Sequence, residues 1–275
     1  MLSKHLVITL TALGVVLGLF TPTLPSAQAA ACGRPSGCTA FELVHAGASY
    51  GWYPVKHRYE FKGGRKAPRS WHKAGRGKLY QQNGMLTLVA PKGRAGDVRT
   101  IWTGVGYRQG RWETRMRTDR ESKGNTDYRV VVSLVPESKR QRHCGAQDID
   151  LLDYNPQRSH TANFNIHTLP NRRFSASETL KRKVGGDEWH EFAVEVTRSH
   201  ISWFIDAHVV RTEKRPAALS GKKLTMQAAL VAEPGHKMNK TRVQLDWARY
   251  WTLKKKNKKS VKAPGTSLKR YPDAC

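Results

Sequence analysis

Apolar and polar residues alternate with a period of two along much of the chain. In "RWETRMR" (residues 111–117) Trp112, Thr114 and Met116 fall on one face, and Arg111, Glu113, Arg115 and Arg117 on the other. "HEFAVEVT" (190–197) sets Phe192, Val194 and Val196 against Glu191 and Glu195. "VQLDWARYW" (243–251) sets Val243, Leu245, Trp247 and Trp251 against Gln244, Asp246 and Tyr250. Successive side chains of a strand point to opposite faces, so each segment reads as a half-buried strand. The pattern predicts further strands at 85–90, 128–135, 148–154, 162–167, 201–205, 209–212 and 224–232. Asn83-Gly84, Gly185-Gly186-Asp187 and Pro234-Gly235 supply turns between them. No segment carries a long apolar stripe at helical spacing. Many short strands without crossover helices predict an all-β fold, a two-sheet antiparallel β-sandwich of jelly-roll type.

One strand breaks the alternation. In "QDIDLLDY" (147–154) a regular strand would put Asp148, Asp150 and Leu152 on one face and Ile149, Leu151 and Asp153 on the other. A single inserted residue, a β-bulge, resets the pattern and brings Asp153 round to join Asp148 and Asp150. Three acids on one face repel one another and raise at least one pKa, as general acid work near neutral pH requires. Paired carboxylates cleave glycosidic bonds, one attacking or activating water while the other protonates the leaving oxygen. The spacing alone leaves two other readings open: a calcium site built on Asp-x-Asp oxygens, and a solvated acidic patch balanced by Arg142 or Arg158. Other chemistries find little footing. There is no nucleophile elbow, the histidines lack metal-ligand spacing, and Gly104-Val105-Gly106 has no strand-to-helix context for a phosphate loop.

The chain ends and the charge add a location and a partner class. Lys4 and His5 precede an apolar run from Leu6 to Phe20, followed by Pro22, Pro25 and Ala27-Gln28-Ala29. This predicts a secretory signal peptide over 1–29, hence a secreted protein. No later stretch is long and apolar enough to span a membrane. In an exported chain Cys32, Cys38, Cys144 and Cys275 default to disulfides. Three pairings are possible; Cys32 with Cys38 and Cys144 with Cys275 is preferred. The net charge is +27, and basic residues crowd into "LKKKNKKSVKAPGTSLKR" (253–270). An anionic polymer is the expected partner, and a solvated tail without a ligand is the alternative. No motif for specific nucleic-acid recognition accompanies the charge. Oligomeric state is not legible.

"QQNGMLTLVA", "YRQGRWETRMRT", "SLVPE", "EWHEFAVEVTRSHISWFIDAHVVRT" and "VQLDWARYWT" follow one another in an order that resembles family 16 of the glycoside hydrolases. "QDIDLLDY" stands where that family reads Gly-Glu-Ile-Asp-Ile-x-Glu-Tyr. The resemblance implies a concanavalin A-like jelly roll over 59–252, between an N-terminal segment 30–58 and a basic tail 253–275. It implies an enzyme that cleaves internal glycosidic bonds of a polysaccharide. Asp148 takes the nucleophile position, Asp150 that of the helper acid, and Asp153 that of the acid/base. His167, in "FNIHT", matches a His on the strand beside the active one.

Several departures qualify that expectation. Both outer Glu positions carry Asp, and each side chain is shorter by about one C–C bond. The change moves the pair from the window of retaining enzymes, about 5–5.5 Å, toward that of inverting ones, about 6.5–9.5 Å. Ser133-Leu134-Val135-Pro136 replaces a Trp-Leu-Leu-Pro segment, and His143 falls where a Trp is usual. Asp206-Ala207 replaces Asp-Gly, which disfavours a two-residue type I′ turn. The expected substrate-binding set is His167, Trp102 and Trp112 as exposed cleft aromatics, Arg115 toward an anionic saccharide, and Gln227. Trp189, Trp203 and Trp247 are expected in the core. No catalytic metal or cofactor is expected, with a structural calcium left open. The alternative function is a non-catalytic protein that binds carbohydrate or an anionic wall polymer on the same scaffold.

Overall fold

The computed structural model describes residues 45–90, 97–122, 128–142, 147–158, 160–232 and 238–270. The expected signal peptide, all four cysteines and His143 lie outside these residues. One short helix, α1 (Ala46–Ser49), precedes the strands. In chain order these are β1 (His57–Tyr59), β2 (Trp71–Gly75), β3 (Lys78–Gln82), β4 (Met85–Ala90), β5 (Val98–Trp102), β6 (Gly110–Arg120), β7 (Tyr128–Pro136) and β8 (Asp148–Tyr154). They continue as β9 (Thr161–Thr168), β10 (Arg172–Thr179), β11 (His190–Val196), β12 (Ile201–Ile205), β13 (His208–Glu213), β14 (Leu224–Ala232), β15 (Thr241–Trp251) and β16 (Ser267–Arg270).

The strands form two antiparallel eight-stranded sheets. Sheet A runs β13-β12-β11-β6-β15-β4-β3, with β1 also paired to β15. Sheet B runs β16-β10-β9-β8-β7-β14-β5-β2. This is the all-β jelly-roll sandwich expected from the alternation. Its core joins the inward residues of both sheets, among them Trp112, Met116 and Val194 from sheet A and Leu134, Ile149 and Phe164 from sheet B. Apolar side chains every second residue bury one face of each sheet, which is the dominant favourable term in such a fold.

Two local expectations are corrected. The alternation in β15 does not run through unbroken, because the pairing with β6 shifts register between Leu245 and Trp247. Val243 and Leu245 face the core, but beyond the bulge Ala248 and Tyr250 take that face and Trp251 turns to the outer side of sheet A. The turn between β12 and β13 contains only Asp206 and Ala207, both at positive φ (46° and 64°). Hydrogen bonds override the cost of a left-handed alanine here: Glu191 N donates to Asp206 Oδ1 at 2.9 Å, and His190 Nδ1 lies 2.8 Å from Asp206 Oδ2.

The outer face of sheet A carries a second, smaller core of Ala46, Tyr50, Trp52, Ala193, Phe204 and Trp251, with Val55, Val209 and Val261 packed against it. Charged groups beneath it are satisfied by the segments that cross over. Glu113 accepts from Ala46 N at 2.6 Å and Gly47 N at 3.1 Å. Arg111 pairs with Glu195 at 2.5 Å and donates to Lys255 O at 2.8 Å. Asn257 donates to both oxygens of Glu195, at 3.0 and 2.9 Å. The basic segment after residue 252 is therefore no solvated tail. It straps the sheet and then enters sheet B as β16, paired to β10. No helix among the described residues is long and apolar enough to cross a membrane.

Candidate active site

β8 lies in the middle of sheet B, between β7 and β9. Against β7, Leu152 pairs with Val132 but Asp150 pairs with Ser133, so Leu151 is the extra residue of a bulge. Ile149, Leu151, Leu152 and Tyr154 all enter the core. Asp148, Asp150 and Asp153 are left together on the outer face of sheet B, as the acid spacing predicts. The core side fixes the strand as well: Trp203 on β12, wholly buried, donates from Nε1 to Asp150 O at 2.8 Å.

The neighbouring strand supplies the polar partners. Asn163, Asn165 and His167 alternate along β9, and Asp148 pairs with His167 in the register. His167 Nδ1 lies 2.5 Å from Asp148 Oδ1. Burial alone would lower the imidazolium, but the hydrogen bond to Asp148 and the charges of Asp148 and Asp150 outweigh it and raise its pKa. Asn165 Nδ2 donates to Asp150 Oδ2 at 2.9 Å and to Asp153 Oδ2 at 3.2 Å, tying the two acids together. Arg173 on β10 orients that amide by donating to Asn165 Oδ1 at 2.9 Å. Arg129 on β7 donates to Asp153 Oδ2 at 2.7 Å.

These surroundings separate the acids. Burial, followed by the charges of Asp148 and Asp153, pushes Asp150 from an ordinary 3.8 up to about 8. Asp150 therefore holds a proton at neutral pH. Burial also raises Asp153, against the opposing pull of Arg129 and Arg173. Its Oδ1 is buried with no hydrogen-bond partner among the described residues. Asp148 is the most accessible of the three carboxyls, at 32% of its side chain. Among the described residues no group of three or more His, Cys, Asp or Glu is set to hold a metal ion.

The raised Asp150 gives a pH test. Between 3.8 and about 8 the folded protein keeps a proton that the unfolded chain has released, so stability falls as pH rises through that window. Asp150→Asn should flatten the fall measured by urea unfolding at pH 5 and pH 8. Glu191, pushed up to about 9 by burial and then by Glu113, contributes the same trend in both proteins, so the difference reports Asp150 together with the His167 that its charge raises. An identical fall in the variant would mean that Asp150 is ionised throughout.

The expected binding residues divide. His167 stands against Asp148, and Gln227 shares its register row with Ser133 and Asp150, its Nε2 3.5 Å from Ser133 Oγ. The other three are corrected. Trp112 is wholly buried, and Trp102, 3% exposed, stacks on Trp71 at 5.5 Å. Strand alternation turns both inward. Arg115 belongs to sheet A, pairs with Asp246 at 3.2 Å and lies over Trp189. Trp189, expected in the core, is half-buried between Arg115 and Arg117. Sequence reasoning missed Asn165, Arg129 and Arg173. The polar alternation of Asn163, Asn165 and His167 beside an acidic strand is the signal that finds the first.

A β-sandwich with a bulged, carboxylate-bearing strand at the centre of one open face belongs among the carbohydrate-active jelly rolls. The model of glycosyl hydrolases family 16 matches residues 69–249, and the chain belongs to that family, which is one of glycosidases. No curated protein matches the sequence. Among solved structures, the laminarinase catalytic domain from Thermotoga maritima MSB8 is similar at 13% identity and TM-score 0.61, over 72% of this chain and 98% of its own. The endo-β-1,3-glucanase from Pyrococcus furiosus is similar at 13% identity and TM-score 0.61, over 77% and 98%. An endo-β-galactosidase from Clostridium perfringens that releases GlcNAcα1-4Gal is similar at 13% identity and TM-score 0.58, over 73% and 63%. At these identities the likeness carries the fold alone.

Proposed function

We propose that the protein is an exported glycosidase that hydrolyses internal bonds of a polysaccharide laid across the outer face of β8. The observation that carries this reading is the bulge at Leu151, which gathers Asp148, Asp150 and Asp153 on one face. Asp148, the most accessible acid and held by His167, attacks the anomeric carbon or activates water. Asp153, whose carboxyl pKa is raised by burial, delivers a proton to the leaving oxygen. Asp150, pushed up to about 8, shares Asn165 with Asp153 and positions it. The glucanase and galactosidase neighbours favour an endo-acting enzyme on a β-linked polymer.

The test is release of reducing ends from laminarin, mixed-linkage glucan, galactan and polygalacturonate, with the Asp148→Asn/Asp153→Asn protein as the blank. Activity on one polymer that the blank lacks supports the reading. The configuration of the first product separates the two roles of Asp148: retention means attack, inversion means base catalysis. No activity on any polymer overturns the reading and favours a non-catalytic binding protein on the same scaffold. That alternative is motivated by the Arg129 guanidinium lying directly on Asp153, which is only 3% exposed.

A further inference from the structure

The strap after residue 252 brings Lys254, Lys255, Lys256, Lys258, Lys259 and Lys262 to the surface, all exposed, with no acidic residue between Leu253 and Arg270. None of the six forms an ion pair among the described residues. Like charges at this density repel, and a free tail would spread them into solvent. Here they are pinned instead. Trp52 Nε1 donates to Asn257 Oδ1 at 2.6 Å, Lys258 N to Tyr50 O at 3.1 Å, and Thr212 N to Pro264 O at 3.0 Å, while Val261 packs on the second core. The fold holds a row of unneutralised cations in place, so an anion that binds them orders little further backbone.

The row continues around the edge of sheet B. In β16, Lys269 is in register with Arg173, which is in register with His167 and then Asp148. Strands lie about 4.8 Å apart, so Lys269 stands about 14 Å from Asp148 across the sheet. The strap contains no Trp, Tyr or Phe on which a nucleobase would stack. We propose that residues 254–269 form a binding track for an acidic polysaccharide, a repeating chain of carboxylate, sulfate or phosphate groups, that runs from the outer face of sheet A to the edge of the Asp148 row. The track is a second site, separate from the carboxylates, and it does not require that they hydrolyse anything.

The experiment uses the full-length mature protein carrying Asp148→Asn/Asp153→Asn, so that turnover does not consume the polymer and a failed hydrolysis assay leaves the result intact. Binding is measured to polygalacturonate, dextran sulfate, neutral laminarin and duplex DNA, with and without Lys→Gln at all six strap lysines. The expected result is binding to one or both acidic polysaccharides that weakens at least about tenfold between about 50 and about 300 mM salt. The six-lysine variant should lose about tenfold or more, with a melting temperature no lower than that of the parent, since these side chains are exposed and their mutual repulsion is removed. Preference for polygalacturonate over dextran sulfate identifies a carboxylate polymer, and the reverse a sulfated or phosphorylated one. Undiminished binding by the variant, equally tight binding of laminarin, or tighter binding of DNA than of either polysaccharide overturns the proposal.

Discussion

Asp153→Asn is expected to lower kcat for polysaccharide hydrolysis by about 10²–10⁴-fold, the usual worth of a general acid, while leaving the melting temperature nearly unchanged. The asparagine has the same size, and its oxygen still accepts from Arg129 and Asn165 as Asp153 Oδ2 does at 2.7 and 3.2 Å. What disappears is the proton. Burial raises the Asp153 carboxyl more than Arg129 and Arg173 lower it, which favours the acid form that proton donation needs. Loss should be greatest on substrates with poor leaving groups, which need protonation most, and smallest on aryl glycosides. A variant with wild-type kcat on polysaccharide would remove Asp153 from the chemistry.

Trp203→Ala should destabilise the protein by about 3–5 kcal/mol, the usual cost of deleting a large buried aromatic. Trp203 is wholly buried on β12, packs against Phe164 with ring centroids 6.0 Å apart, and holds Asp150 O through its indole nitrogen. It links sheet A to the bulged strand. Trp203→Phe keeps most of the volume but leaves the carbonyl of Asp150 unpaired, at about 1–3 kcal/mol. Urea unfolding of the three proteins checks the order wild type, Phe, Ala. A Phe variant as stable as wild type would mean that the indole hydrogen bond contributes nothing net.

The strands that alternate cleanly were legible in the sequence. β4, β8, β12 and β14 match their expected bounds because each is a short, largely buried run set off from its neighbours by turns or loops. The edge strands were not: β2 is exposed at four of five positions and β16 at all four, so neither leaves a two-residue period to read. The bulge at Leu151 showed itself because acids marked one face. The bulge at Asp246 did not, since Trp247 and Trp251 look equally apolar whichever side of sheet A they face. The same limit misplaced Trp102 and Trp112. Aromatic character does not say inward or outward, whereas the alternation that groups Trp112 with Met116 does. Arg129 and Arg173 were invisible because their roles depend on which strands become neighbours.

The second core also sets an order of completion during synthesis. Sheet A can begin to pair once β15 has been made, yet Arg111 and Glu195 on its outer face wait for Lys255 and Asn257, which follow it along the chain. Trp52, made some 205 residues before Asn257, waits equally long for its partner. A nascent chain therefore carries an exposed aromatic cluster and an incompletely satisfied charge pair until the lysine-rich segment emerges.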